Sequence, residues 1–279
     1  MSAGSGVIKV IETTTAAEFW DKLSPEKPIF QKPCRLLYRG QANHKWSLTP
    51  GILRSGVTMR SRIDVFKEWA YVHQFVEHCD SIGLSIPNDS PSLREEFLSL
   101  NNPVGPGGSW RDWPPPEIYG LLALAQHYRL PTRLLDWSTR SYVGAYFAIS
   151  DVLTKKVDEK TDRLAVWVLN VEMKALFPKL RLVNVPGGNN ANLAAQSGCF
   201  TLLLCNREPP YEEEQSLDGY LTGQSIPPPL VKVTLPVSEA SAAQELCRLY
   251  GVTGATLFPD YYGAARGAVD RLSTEPRLP

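Results

Sequence analysis

Six hydrogen-bonding side chains, Gln126, His127, Arg133, Asp136, Ser138 and Thr139, interrupt an otherwise apolar stretch from Leu121 to Ile149. A guanidinium, a carboxylate, an imidazole and two hydroxyls can together bind an anion and move a proton. Helix capping accounts for part of the set, since Pro131 bars the preceding helix from continuing and Ser138 or Thr139 can cap the next one. It leaves Gln126, His127, Arg133 and Asp136 unexplained. A buried Arg133–Asp136 pair is a poor source of stability, because desolvation offsets its Coulombic gain. Polar groups gathered where two helices and a turn meet fit the wall of a pocket. A second group is Tyr38-Arg39-Gly40-Gln41, at the end of an expected strand. Arginine suits bidentate recognition of phosphate or carboxylate, and a following glycine lets a ligand approach the backbone. Arg39 can equally pair with an acidic residue such as Asp136.

Other chemistries have weaker support. Cys199 with His127 would make a nucleophile and base, but a cysteine beside Phe and Leu in a strand is usually inert core. The sequence has no Cys-x-x-Cys pair, and His73 and His78, five apart on a helix, would diverge, so no metal is expected. There is no Walker motif, and "PGGNNAN" from Pro186 to Asn192 is at most a weak glycine turn.

The elements that must position these residues follow from periodicity. "VIKVI" (7–11) reads as a strand, followed by a helix capped by a threonine among Thr13 to Thr15. "CRLLYRG" reads as a strand ending at Gly40. Between Ser61 and Cys79, Val65, Trp69, Val72, Val76 and Cys79 recur at steps of four and three, which is one helix face, widened by Phe66 and Phe75. The Gly- and Pro-rich 101–116 segment is a surface loop. The stretch from Leu121 to Ile149 reads as helix, turn, helix, with Leu134 and Leu135 in the core. "RLAVWVLNV" is a buried strand, and "LVNVP", "CFTLLLC" and "LVKVTL" are further strands. The acidic 207–229 segment is a solvated loop. "SEASAAQELCRLYG" is a helix with Ser238 as its N-cap and Gly251 just past its end, and a turn and short helix close the chain. Mixed elements without regular βαβ alternation, repeats or a linker indicate one α+β domain over residues 1–279.

With 43% hydrophobic residues the chain can bury a sizeable core. Lys plus Arg equals Asp plus Glu at 29 each, so no overall basic field draws in nucleic acid. The five cysteines are scattered and odd in number, which suits reduced thiols. No apolar run approaches the ~20 residues needed to span a bilayer, and "MSAGSGVIKV" lacks the pattern of a signal peptide. A cytoplasmic protein without membrane contact is the expectation.

"YRGQ", "LAQHYRLPTRLLDWSTRSYVGAYFAI", "AAQSGCF" and "TLFPD" together resemble the FRG domain family, named for a Phe-Arg-Gly motif that is Tyr38-Arg39-Gly40 here. The resemblance runs from about 35 to 258, with residues 1–33 as an N-terminal strand and helix extension. The family itself implies no activity. A second, weaker resemblance is to ADP-ribosyltransferases of the arginine-serine-glutamate type. These carry a strand ending in Arg-Gly, an aromatic-x-Ser-Thr-Ser strand, a helix with Ala-x-x-Phe, then an apolar strand. "YRG", "DWSTRSYVGAYFA" and "LAVWVLNV" occur in that order here.

This second resemblance implies a split, largely antiparallel sheet with packed helices, and NAD as substrate. Arg39 would hold NAD near its phosphates and nicotinamide ribose, with Arg133 or Arg54 behind it, and Asp136 would orient Arg39 or Arg133. Ser138 would orient the ribose, and Gln41 and Gln196 would hydrogen-bond ribose or carboxamide. Gly40 would let the ligand approach, Tyr142 or Tyr146 would stack on nicotinamide, and the polar turn with Gln126 and Thr139 would form the wall. Two positions depart from the pattern. Arg140 replaces the last serine of Ser-Thr-Ser, and Gln196 stands where the third motif has Glu. Gln cannot act as a base. That leaves a different acceptor, a base from elsewhere with His127 as the candidate, or loss of catalysis. The implied activity is ADP-ribosyl transfer to protein or nucleic acid, as in a toxin or phage-defence effector. The alternative is a non-catalytic module that binds a nucleotide or phosphate.

Overall fold

The computed structural model describes residues 6–27, 29–30, 34–54, 62–99, 112–154, 161–185, 191–206, 216–224 and 226–274. The strands are β1 Lys9–Glu12, β2 Leu36–Gln41, β3 Asp112–Trp113, β4 Leu135–Ser138, β5 Arg163–Asn170, β6 Leu180–Val183, β7 Gly198–Leu203, β8 Cys205–Asn206 and β9 Leu230–Pro236. The helices are α1 Ala16–Lys22, α2 Gly51–Arg54, α3 Arg62–Ser81, α4 Pro91–Leu93, α5 Tyr119–His127, α6 Ser141–Thr154, α7 Ala191–Ala195, α8 Leu217–Thr222, α9 Ala240–Leu249, α10 Gly254–Leu257 and α11 Tyr261–Thr274.

Seven strands form one sheet in the order β1-β9-β5-β2-β4-β7-β6. Every pairing is antiparallel except β1 with β9. The α+β class and the largely antiparallel sheet agree with expectation. The sheet is continuous rather than split, although β2 and β4 share a single register pair, Tyr38 with Ser138. Beyond that pair the two strands part.

β5 sits at the centre because it has two apolar faces. Leu164, Val166 and Val168 enter a core with α1, α6 and α9, while Trp167 and Leu169 enter a second core with Leu37, Leu135 and Trp137. A third core gathers α3 and α5 around Trp69, Trp113 and Leu122. Leu134 and Leu135 are both buried, as expected.

α6 lies directly on β2, and two glycines make that possible. A Cβ on Gly40 would stand 2.1 Å from the Gly144 carbonyl oxygen and 2.5 Å from the Ala148 nitrogen. A Cβ on Gly144 would stand 2.9 Å from the Tyr38 Cβ. Neither strand nor helix can move aside without opening the core between them.

Several local expectations hold. The Thr15 hydroxyl accepts from the Glu18 N–H and caps α1, and Gly251 follows α9 at φ +71°. Others need correction. The segment after α5 is a strand, β4, because Leu135 and Trp137 alternate into one core while Asp136 and Ser138 turn to the opposite face. α9 begins after a 3₁₀ turn at Val237–Glu239, which places Glu239 rather than Ser238 before its first residue. Within the expected 101–116 loop, Asp112 and Trp113 pair with Asn206 and Cys205. Within 207–229, Ser216 caps α8. The closing helix α11 has 14 residues and is not short. Val65, Phe66 and most of "PGGNNAN" lie outside what is described of side chains or backbone.

Candidate functional site

A cleft of about 310 Å³ opens where β2, β4 and β7 meet α5, α6 and α7. It lies at the parting of β2 and β4. Of the expected site residues, Arg39, Gly40, Gln126, His127, Asp136, Ser138 and Gln196 all line it.

Arg39 is the best-defined of these. Its Nη1 donates to the Asp136 backbone oxygen at 2.7 Å and to Asp136 Oδ2 at 3.2 Å. Gln126 Nε2 donates to Asp136 Oδ1 at 2.6 Å, and the Thr132 hydroxyl donates to Gln126 Oε1. Thr132, Gln126 and Asp136 thus form one chain of bonds that ends on the guanidinium and fixes its direction. The Arg39 side chain is 14% exposed, and its buried Nε has no partner among the described residues. An unpaired buried donor on a cation is costly.

Ser138 holds the far end. Its Oγ donates to the Gln196 backbone oxygen at 2.7 Å and accepts from the Arg140 N–H at 3.0 Å. The Gln196 amide donates to the Leu257 carbonyl at 3.1 Å, tying the start of β7 to α10. Ser197 follows at φ +48°, a left-handed conformation uncommon outside glycine, and its carbonyl accepts from the Thr139 N–H at 3.1 Å. His127, the last residue of α5, is exposed with its ring edge-on to Tyr128 at 5.1 Å.

The structure moves six expected residues out of the cleft. Arg133 is buried away from it, where its Nε donates to Glu68 Oε2 at 2.6 Å. It pairs with Glu68 in the interior and not with Asp136, whose exposed carboxylate lines the cleft. Gln41 spends its amide on the Ser47 carbonyl and on the Trp167 indole N–H. These bonds hold it buried beside Trp167 and off the lining. Tyr142 stacks on Trp20 with ring centroids 3.8 Å apart, and Tyr146 is fully buried with its hydroxyl on Asp270 at 2.6 Å. Neither can stack on a ligand in the cleft. Thr139 is exposed beside the cleft and does not line it. Arg54 is held by the Thr49 carbonyl at 2.7 Å. Burial and then the positive charge of Arg39 lower its pKa, so it stands behind Arg39 without reaching the lining.

Cys199 lines the cleft but is buried, and that burial pushes its thiol up to about 11. It is protonated near neutrality and no nucleophile. The lining also includes Phe147, Asp151, Asn192, Phe200 and Phe258, which sequence reasoning missed. Phe147 and Asp151 are four apart on α6, a spacing visible in the sequence once the orientation of that helix is known. Phe258 lies in "TLFPD" and Asn192 in the glycine turn set aside as weak.

No helix among the described residues is long and apolar enough to cross a membrane. No curated protein and no solved structure matched the chain. The family profile of the FRG domain matches residues 34–157, which hold β2, α5, β4 and α6 with Arg39, Gln126, Asp136 and Ser138. "AAQSGCF" and "TLFPD" lie beyond the matched segment. The strand, helix and hydrogen-bond chain that build most of this cleft therefore lie in the segment, residues 34–157, that matches the FRG domain.

Proposed function

We propose that the cleft takes NAD and that the protein transfers ADP-ribose from it to a macromolecular acceptor. One observation carries this reading. Arg39, Ser138 and Gln196, which stand at the three positions where arginine-serine-glutamate transferases carry their motifs, line one cleft on the adjacent strands β2, β4 and β7 or at their ends. The Arg39 guanidinium, with Nε unsatisfied, supports the diphosphate or the nicotinamide ribose. Phe147 and Phe258, edge to face at 6.1 Å, take the stacking role first expected of Tyr142 and Tyr146. At about 310 Å³ the cleft has room for one end of a dinucleotide, with the other end reaching over the rim. An activity of this kind suits a toxin or a phage-defence effector.

The second reading is a non-catalytic module that holds a nucleotide or phosphate. Gln196 favours it, being neutral and having its amide committed to Leu257. Incubating the protein with labelled NAD and a cell lysate separates the two. Transfer supports the enzyme and puts label on protein or nucleic acid. Free nicotinamide without labelled acceptor indicates NAD hydrolysis. Thermal stabilisation by NAD with no consumption supports the binding module, and no effect of NAD at all removes it as the ligand.

A further inference from the structure

A transferase needs negative charge beside the anomeric carbon and a group to take the acceptor's proton, and Gln196 offers neither. We propose that Asp151 is that group. This rests on the transferase reading above. Two carboxylates line the cleft among the described residues, Asp136 and Asp151. Asp136 has both oxygens engaged, one by Gln126 at 2.6 Å and one by Arg39 at 3.2 Å. Its task is to aim the guanidinium.

Asp151 is placed differently. It stands one turn beyond Phe147 on α6 and lines the same cleft as Phe258. Its side chain is 28% exposed. A carboxylate flanked by aromatic carbon in a partly dry site interacts more strongly with a developing cation than one in water. His127 is the poorer choice, because it sits exposed at a helix end and a neutral imidazole carries no charge to stabilise the cation.

Asp151 is also held in place. Arg266 of α11 lies 3.7 Å from its carboxylate. Arg266 is fixed in turn by bonds to the Tyr146 hydroxyl at 3.0 Å and the Ser150 hydroxyl at 3.1 Å, and its guanidinium packs 5.3 Å from the centre of the Phe258 ring. A buried network around Asp270 thus reaches the cleft through one arginine. Arg266 is a positioning residue for Asp151.

The chemistry balances without a further reactant. The bond from the ribose anomeric carbon to the nicotinamide nitrogen breaks, and its electron pair leaves with neutral nicotinamide. The ribose ring takes up the positive charge opposite the Asp151 carboxylate. A nucleophilic oxygen or nitrogen of the acceptor bonds to the anomeric carbon, and its proton passes to Asp151 and then to solvent. Where water is the acceptor, the product is ADP-ribose.

The test uses the full chain with NAD, measuring NAD binding by calorimetry and nicotinamide release with and without lysate acceptor. Asp151→Asn should bind NAD about as wild type does and release nicotinamide about 10²–10⁴-fold more slowly, the usual contribution of a general base. Asp151→Glu should recover part of the rate. If Asp151→Asn fails to fold, Arg266→Gln tests the same idea with Asp151 in place. Its kcat should fall while KM holds, and Arg266→Lys should restore it. Wild-type turnover in Asp151→Asn overturns the role of Asp151 alone. A wild-type protein that neither binds nor consumes NAD overturns the transferase reading, and this inference with it.

Discussion

Glu68→Ala should be among the most damaging single changes in this protein, and Asp136→Ala among the mildest in its polar turn. Both glutamate and arginine of the Glu68–Arg133 pair are sealed from solvent, with side chains 0% and 3% exposed. The carboxylate serves three donors at once. It accepts from Arg133 Nε at 2.6 Å, from the Arg133 backbone N–H at 2.8 Å and from the Trp113 indole at 2.7 Å. Removing one partner of a buried ion pair costs about 3–5 kcal/mol. The tryptophan and backbone donors, each worth about 1–3 kcal/mol when left unmet, put Glu68→Ala at the upper end of that range. Against a total stability of about 5–15 kcal/mol, much of the population would unfold. Asp136 has 62% of its side chain exposed, and an ion pair in that setting is worth under about 1 kcal/mol. Urea unfolding of the two variants, compared at equal m-value, measures both. Replacing the pair together, as Glu68→Leu with Arg133→Met, should recover part of the loss, since no charge is then left behind. A Glu68→Ala protein within about 1 kcal/mol of wild type, or an Asp136→Ala protein that loses as much, would refute this account of the turn.

Gly40→Ala should cost more than about 3 kcal/mol, because the added carbon meets backbone of α6 at 2.1 Å and cannot be accommodated by a rotamer change. Soluble yield and thermal melting check it, and a normally folded Gly40→Ala would mean that α6 is not seated on β2. Arg39→Ala should weaken NAD binding about 10- to 100-fold, the equivalent of one or two hydrogen bonds to a charged group, as read by the NAD-induced shift in Tm; an unchanged shift removes Arg39 from the site. The buried acids predict loss of stability in alkali. Burial raises Cys199 to about 11 and Cys247 and Tyr38 to about 12 in the folded state, above their ordinary values of ~8.5 and ~10. Their contribution is therefore whole below the unfolded values and is lost as pH climbs from there through the folded ones. Urea midpoints should fall over that window, with the buried thiols reacting with a disulfide reagent only as unfolding sets in, and a midpoint that stays level would refute it.

How far the sequence disclosed this cleft depends on the distance over which each residue acts. The strands β5 and β9, the helix α9 and the Thr15 cap are local features, set by alternation, by helical period and by a hydroxyl two or three residues from its target. Arg39 and Ser138 were legible because a guanidinium before a glycine and a hydroxyl after an aromatic strand are unusual in a purely structural role. The partner of Arg133 was not, since Glu68 lies 65 residues away and nothing near it marks a buried carboxylate. Gln41 was misplaced because the indole that takes up its amide oxygen, Trp167, lies 126 residues away. Four residues of "LDWS" carry too short a period to distinguish a strand from a turn, and β4 exists because β7 gives it four paired residues.

The orientation of α6 decides the rest, and Gly144 sets it. An α-helix turns about 100° per residue. With Gly144 against β2, Ala148 lies about 40° from it and Asp151 about 20°, while Phe147 lies about 60° to the side. These residues face the sheet or the cleft at its opening. Tyr142 and Tyr146 lie about 160° from Gly144 in opposite senses, on the far side of the helix. There Tyr142 meets Trp20 of α1 and Tyr146 meets Asp270 of α11. The aromatic residues that look most suited to stack on a nicotinamide are therefore structural, and the less conspicuous Phe147 and Asp151 reach the site. A mid-helix glycine is costly by about 0.5–1 kcal/mol, and its presence in "SYVGAYFA" marks the contact face from which the others can be counted.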